Sequence, residues 1–414
     1  MKDMEQETKL GRILNKIGEL TADGHKPMTL FAACPNSPSV IKAAFRAAKR
    51  NNAPILFAAT LNQVDCDGGY TGMTQEDFVR TAREEARRID YVGPYIVAID
   101  HGGPWLKDIQ RVENWPYDKA MAWVKKSYEA AVLAGYDMIH VDPTVDINVP
   151  KGEIISIDVV AERTVELISH IEKFRKSKGI PRIAYEVGTE EVHGGLADES
   201  VFDRFLKLLK SGLEGAGCSD AWPEFIVGKV GTDLHTTFFD PEVARDLTEK
   251  VRPYGSFIKG HYTDDVSNPE EYPKAGMGAA NVGPEFTVCE YDALEELEII
   301  ENGLYGQGRI AIRSKMTEVL GNLVVDSGRW TKWLLPDEAS KAFPDIRPER
   351  QSWLIRTGAR YIWQKPEALA ARWTLYRNLE DNGIDAEDIV LSHIEKAMDK
   401  YYRAFNLTDL NNHI

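Results

Sequence analysis

Residues 54–102 read PILFAAT LNQVDCDGGYTGM TQEDFVRTAREEARRID YVGP YIVAIDHG. The first and last runs are apolar and β-rich without clean alternation, the pattern of strands buried on both faces of a parallel sheet. Between them, QEDFVRTAREEARRI repeats its apolar residues at spacings of three and four, so one face of a helix can cover that sheet. The same rhythm runs along the chain from residue 28. Candidate strands are MTLFAAC (28–34), PILFAAT (54–60), YIVAIDHG (95–102), MIHVDP (138–143), RIAYEVGTE (182–190), EFIVGKVGTD (224–233), FIKGHYTD (257–264) and GAANVGPEFT (278–287). Eight such strand–helix pairs predict an α/β chain folded as a (β/α)8 TIM barrel, whose usual size is about 250 residues. An open doubly wound sheet would want a glycine fingerprint at the first strand–helix turn, and AACPNSPS has none.

Working outward, the barrel is expected over 25–305. Residues 1–24 predict a charged, amphipathic N-terminal helix. Residues 306–414 predict a helical extension without strands, rich in aromatics (Trp330, Trp333, Trp353, Trp363, Trp373) and packed on the barrel or on a partner subunit. The 414 residues carry 50 Lys and Arg against 65 Asp and Glu, a formal charge of −15 that argues against a nucleic-acid partner. No apolar run is long enough for a membrane span or a signal peptide. Cys34, Cys66, Cys218 and Cys289 are scattered without metal or disulfide spacing, as in a reducing cytoplasm. A cytoplasmic protein and a homo-oligomer are the expectation.

In a barrel of this kind the chemistry sits at the C-terminal ends of the strands. Polar residues gather there: Asp100 and His101 on the third, His140 and Asp142 on the fourth, Glu186 and Glu190 on the fifth, Asp233 and His235 on the sixth, His261, Asp264 and Asp265 on the seventh, Asn281 and Glu285 on the eighth. An isolated strand histidine is more often a packed residue than a ligand. Three of them on one rim, His101, His235 and His261, point instead to a metal, since three imidazoles and one open position describe a catalytic site. His140, in mid-strand, is expected to pack or to support. The polar, glycine-rich loop 61–73 falls on the same rim, as an ordinary surface loop or as a contact to substrate.

At these residues NQVDCDGGYTGM, AIDHGGP, IHVDPT, EVGTE and NVGPEFT, the chain resembles the family of the non-catalytic subunit of class II D-tagatose-1,6-bisphosphate aldolase, within the wider class II ketose-bisphosphate aldolases. The resemblance runs from about residue 25 to the RYIWQKPEAL stretch. It implies a metal-dependent barrel in which Asp100 is the acid/base, His101, His235 and His261 hold a divalent ion (Zn, Mn, Ni or Co), and Asn281 contacts the sugar near the reacting carbons. Two departures stand out. Pro284 replaces a threonine that helps the aldolases hold phosphate, and Asp264 and Asp265 bring negative charge where they have a serine. Lys259 is the cation nearest in sequence. Both changes favour an uncharged or singly phosphorylated sugar over a bisphosphate.

The resemblance implies two functions. One is a helper that stabilises a class II aldolase catalytic subunit. The other is a ketohexose C4-epimerase interconverting D-fructose and D-tagatose, or their 6-phosphates. The C4 hydrogen is not α to the C2 carbonyl, so inversion needs either transient oxidation or C3–C4 cleavage and re-addition. No dinucleotide fingerprint is present, which leaves the retro-aldol route. Asp100 or Glu186 is expected to take the C4 hydroxyl proton, with Asn62, Gln63, Asp142, Glu190 and Asn281 contacting the sugar. An aldolase that releases its products is a close alternative.

Overall fold

A computed structural model describes residues 7–150, 153–188, 199–233 and 235–414. Eight parallel strands, β1 Leu30–Ala33, β2 Ile55–Thr60, β3 Tyr95–Gly102, β4 Met138–Val141, β5 Ala184–Gly188, β6 Phe225–Val227, β7 Phe257–Gly260 and β8 Ala279–Val282, close into a barrel in sequence order. The seam is β1 against β8, with Leu30 opposite Ala279 and Ala33 opposite Val282. Almost every strand residue is buried, as the unalternating apolar runs require. Helices start where the sequence supplies caps: Ser37 before Pro38, Asp240 before Pro241, and Thr74 with Asp77 in a reciprocal capping box.

All the strands but β3 are shorter than the runs drawn for them, β6 and β8 by the most. β8 stops at Val282 because Pro284, which has no N–H to give a ladder, opens the helix Pro284–Gly306. β6 stops at Val227, and Gly231 turns the chain with a φ of 94°. The N-terminal helix Lys9–Ala22 buries Leu10, Ile13, Leu14, Ile17 and Leu20. Thr8 donates to Glu224 at 2.7 Å and Lys9 reaches Asp137 at 3.5 Å, so this helix covers the ends of the barrel where strands begin.

The C-terminal part divides in two. The last helix, Ala386–Ala404, wedges between Pro38–Asn51 and Pro284–Gly306 in the outer ring, over the β1/β8 seam. There Tyr401 stacks on Phe31 at 5.6 Å and Tyr402 meets it edge-on at 5.2 Å. The middle part, Met316–Ser327 through Pro366–Glu380, includes short turns at Arg329–Trp333 and Ala359–Tyr361 that reach the opposite end of the barrel, where the strands finish. All four cysteines are free. No helix among the described residues is long and apolar enough to cross a membrane.

Candidate active site

The floor of the site forms where β3 ends. Ile99 lies opposite Ile139 and Gly102 opposite Val141, so β3 carries one residue more than β4. The bulge falls on Asp100 and His101, and His101 takes a left-handed φ of 46°. An extra residue of this kind re-aims a side chain. A Cβ on Gly103 would stand 1.8 Å from the Asp142 carbonyl oxygen, and one on Gly102 2.8 Å from that of His140. Only glycine lets the bulged strand run so close to its neighbour.

The bulge points His101 at a chain of partners. Its Nδ1 lies 2.6 Å from Asp142 Oδ2, and Asp142 is held in turn by Thr144. A carboxylate on Nδ1 leaves Nε2 as the ring atom that faces the site. That atom lies 2.8 Å from His261 Nδ1, and His261 Nε2 lies 2.9 Å from Glu186 Oε1. Lys259, fully buried, donates to Glu186 Oε2 at 2.6 Å and stands 3.6 Å from Asp100. Asn281 Nδ2 donates to Asp100 Oδ1 at 3.1 Å. His140 accepts the His101 backbone N–H on Nδ1 at 3.0 Å, which places its own proton on Nε2. It therefore props the bulge, and its only ring lone pair is already used.

The charges follow from this packing. Burial pushes the Asp100 carboxyl up, but His101, Lys259 and His261 outweigh it and hold it well below the usual carboxylate range. Burial acts on Glu186 the same way, and Lys259, His140 and His261 bring it down to about 2. Lys259 loses to burial and gains more from Glu186 and Asp100, so it stays an ammonium. Asp264 differs: burial, with Glu285 and Asp265 nearby, raises it to about 7 despite the backbone N–H groups of Gly283 and Glu285 on its Oδ1.

Asp100, His101, His261 and Asn281 form one side of a cavity of about 340 Å³. Asn62 and Gln63 line it too, but their amides are engaged. Asn62 bridges to Leu106 and Asp108, and Gln63 to Thr60 and Asn36. The loop 61–73 is thus a pinned wall. Asp142 stands behind His101 and Glu186 below the floor; neither lines the cavity. Glu190 lies outside the described residues. His235 is not brought to His101 and His261. It is exposed, eight residues beyond the end of β6, with its ring 5.6 Å from Trp353. No cluster of possible ligand atoms among the described residues includes it.

The donors present fit a divalent ion. Ligand atoms of Asp100, His140, Glu186 and His261 lie within 4.8 Å of one another, as do those of His101, His140 and Asp142. The carboxylates of Asp100, Asp142 and Glu186 and the imidazoles beside them supply oxygen and nitrogen donors of the kind a divalent ion takes. His261 with Asp100 or Glu186 in the first group, and His101 with Asp142 in the second, are the donors such an ion would find.

The other side of the cavity is one that the strand pattern does not announce. Arg111, Arg329, Lys332, Trp333, Arg360 and Tyr361 line it, all but Arg111 from the C-terminal extension. Burial pushes the Tyr361 hydroxyl up, yet Arg360, Lys332 and Arg329 outweigh it and hold it below the ordinary tyrosine value. The available sequence signal was the interleaving of basic and aromatic residues in RWTKW (329–333) and ARYIW (359–363).

A closed parallel barrel with polar side chains gathered at the C-terminal ends of its strands is a (β/α)8 TIM barrel with its candidate site on the face where such barrels carry their chemistry. The chain belongs to the D-tagatose-1,6-bisphosphate aldolase subunit GatZ/KbaZ-like family, whose model matches residues 14–412. Among solved structures it is similar to a probable tagatose 6 phosphate kinase from Sinorhizobium meliloti 1021, with a TM-score of 0.75 and 24% identity over 91% of this chain and 100% of that one. It is also similar to fructose-bisphosphate aldolase from Campylobacter jejuni, with a TM-score of 0.54 and 13% identity over 96% of this chain and 95% of that one. At these identities the likeness is one of fold.

Proposed function

We propose that the chain is a metal-assisted enzyme of the aldol type acting on a ketohexose, and that its outcome is inversion at C4, interconverting D-fructose and D-tagatose or their 6-phosphates. The observation that carries this reading is the joining of Asp100, His101, His261 and Asn281 on the floor of one roofed cavity. A divalent ion bound there would polarise the C2 carbonyl and offset the charge that grows on the sugar oxygens.

Asp100 is an ionised carboxylate held in place by Asn281, and it accepts the proton of the C4 hydroxyl. The C4–O bond becomes a carbonyl, the C3–C4 bond breaks, and its electron pair moves into the C2–C3 unit. The aldehyde half turns to present its other face. C3 then re-forms the bond and Asp100 returns the proton. Asn281 Oδ1, buried without a partner among the described residues, is left to receive a substrate hydroxyl. Glu186 has both oxygens occupied, so in this scheme it positions His261 and Lys259 and does not move a proton.

The family match speaks for a second reading, a stabilising subunit of a class II tagatose-1,6-bisphosphate aldolase whose partner is the catalytic subunit. The site geometry speaks for the first. Purified protein supplied with Mn²⁺, Ni²⁺, Zn²⁺ or Co²⁺ and given D-fructose or D-fructose 6-phosphate is expected to form the tagatose isomer. No product with any metal, together with a longer half-life of a co-expressed class II aldolase, decides for the helper.

A further inference from the structure

The roof of the cavity holds a charge that no carboxylate among the described residues pairs. Arg360 is only 5% exposed, and it lines the cavity. It donates to the Tyr361 hydroxyl at 3.2 Å and lies 4.9 Å from the ring centres of both Trp333 and Tyr361. Among the described residues it forms no ion pair; Asp264, which lines the same cavity, acts on it only through space and already accepts two backbone N–H groups. A buried guanidinium without a counter-charge is costly, and two aromatic faces offset only part of that cost. Around it the imbalance grows, because Arg111, Arg329 and Lys332 share the single carboxylate of Asp108.

The place where a barrel offers an anion its backbone N–H groups is already filled. Asp264 Oδ1 accepts from Gly283 N at 2.9 Å and Glu285 N at 2.8 Å, at the start of the helix Pro284–Gly306. Lys259 cannot serve either, since Glu186 holds it below the floor. The protein has thus put its own carboxylate at the helix end and its spare cations in the roof.

We propose that Arg360, with Arg329 and Lys332, binds the terminal anionic group of a ketose, a phosphomonoester or a carboxylate, and so sets which sugar the cavity accepts. A planar guanidinium matches either group through paired N–H donors. The assignment rests on the reading that this cavity holds the ketose.

Calorimetric titration of the metal-loaded protein with D-fructose 6-phosphate, D-fructuronate and D-fructose tests it. At least one anionic sugar is expected to bind tenfold or more tighter than D-fructose, and the tighter of the two identifies the group. Arg360→Met is expected to bring that ratio close to one, and Arg360→Lys to restore part of it. A ratio near one in the unaltered protein, or one that Arg360→Met leaves unchanged, overturns the proposal. Should Arg360→Met fail to fold, Arg329→Ala, on a half-buried side chain, is expected to lower the ratio at least threefold, and an unchanged ratio again overturns it. Binding is read without turnover. An anion preference in a protein that forms no tagatose keeps this assignment and ends the epimerase reading; tagatose from D-fructose without any preference does the reverse.

Discussion

The floor and the roof of the cavity are built on opposite principles. The floor is made of strand ends, and each of its charges has a partner: Lys259 with Glu186, His101 with Asp142, Asp100 with Asn281. The roof is made of short turns in the extension, and its cations outnumber the carboxylates beside them. A paired, buried floor is preorganised, which suits groups that must act on a substrate with little reorganisation. An under-neutralised roof suits groups waiting for a charge that arrives with the ligand. On the function and the anion site proposed above, the difference separates chemistry from selection within one cavity.

Four experiments break or sharpen that contrast. Asp100→Asn removes the proton acceptor on the floor and is expected to lower kcat by about 10³-fold, within the range general-base groups supply. Its KM for the sugar should change little, and a steady-state assay in which KM rises while kcat holds would move Asp100 to the binding side. Lys259→Met leaves Glu186 buried without its ammonium and is expected to cost about 3–5 kcal/mol in urea unfolding. Adding Glu186→Gln should recover much of that loss; two additive effects would show that the pair is not coupled.

His261→Ala is expected to strip the bound metal, measured per chain by mass spectrometry, whereas His235→Ala should leave the metal content as it was. Loss in the second variant would bring His235 back into the ligand set. The smallest effect concerns pH. Asp264 carries a folded value of about 7, above that of an unfolded carboxyl, so its proton stabilises the fold at low pH. That contribution is present below about pH 4 and lost as pH rises through about 7. Glu186, down at about 2, has the opposite sign: its contribution is present above about pH 4 and lost as pH falls toward 2. Thermal melts of Asp264→Asn should therefore lack the decline of the unaltered protein between about pH 4 and about pH 7.

How much of this the sequence discloses depends on periodicity. The eight strands and their helices were legible because burial on two faces leaves an unbroken apolar run, and burial on one face leaves a 3.6-residue period. The runs overshoot where a local backbone rule intervenes, at Pro284 after β8 and at Gly231 after β6. The second overshoot explains His235: a strand drawn to residue 233 puts this histidine at the rim, whereas β6 ends at Val227 and the chain has turned away before reaching it. Asp100, His101, His261 and Asn281 could be placed together on one cavity wall because they stand at or just past true strand ends. Arg360 could not, because a three-residue turn has no period and its role depends on residues as distant in sequence as Tyr70 and Asp264. The bulge at His101 was equally silent, visible only once β4 gave it a register to depart from.

The helix Ala386–Ala404 has a consequence for how the chain reaches this shape. It covers the seam between β1 and β8, and the Asp409 and Asn411 amides bond to the carbonyls of Asn51 and Asn52 at 2.9 and 3.0 Å. The earliest strand is thus finished by the latest helix, and more than 350 residues separate Phe31 from its stacking partner Tyr401. On the ribosome the first seven βα units emerge with an apolar edge that nothing yet made can cover. Closing so long a loop is slow and leaves a sticky intermediate in the meantime. This barrel should therefore lean on chaperones during synthesis, and a frameshift near its end should harm folding more than its distance from the cavity implies.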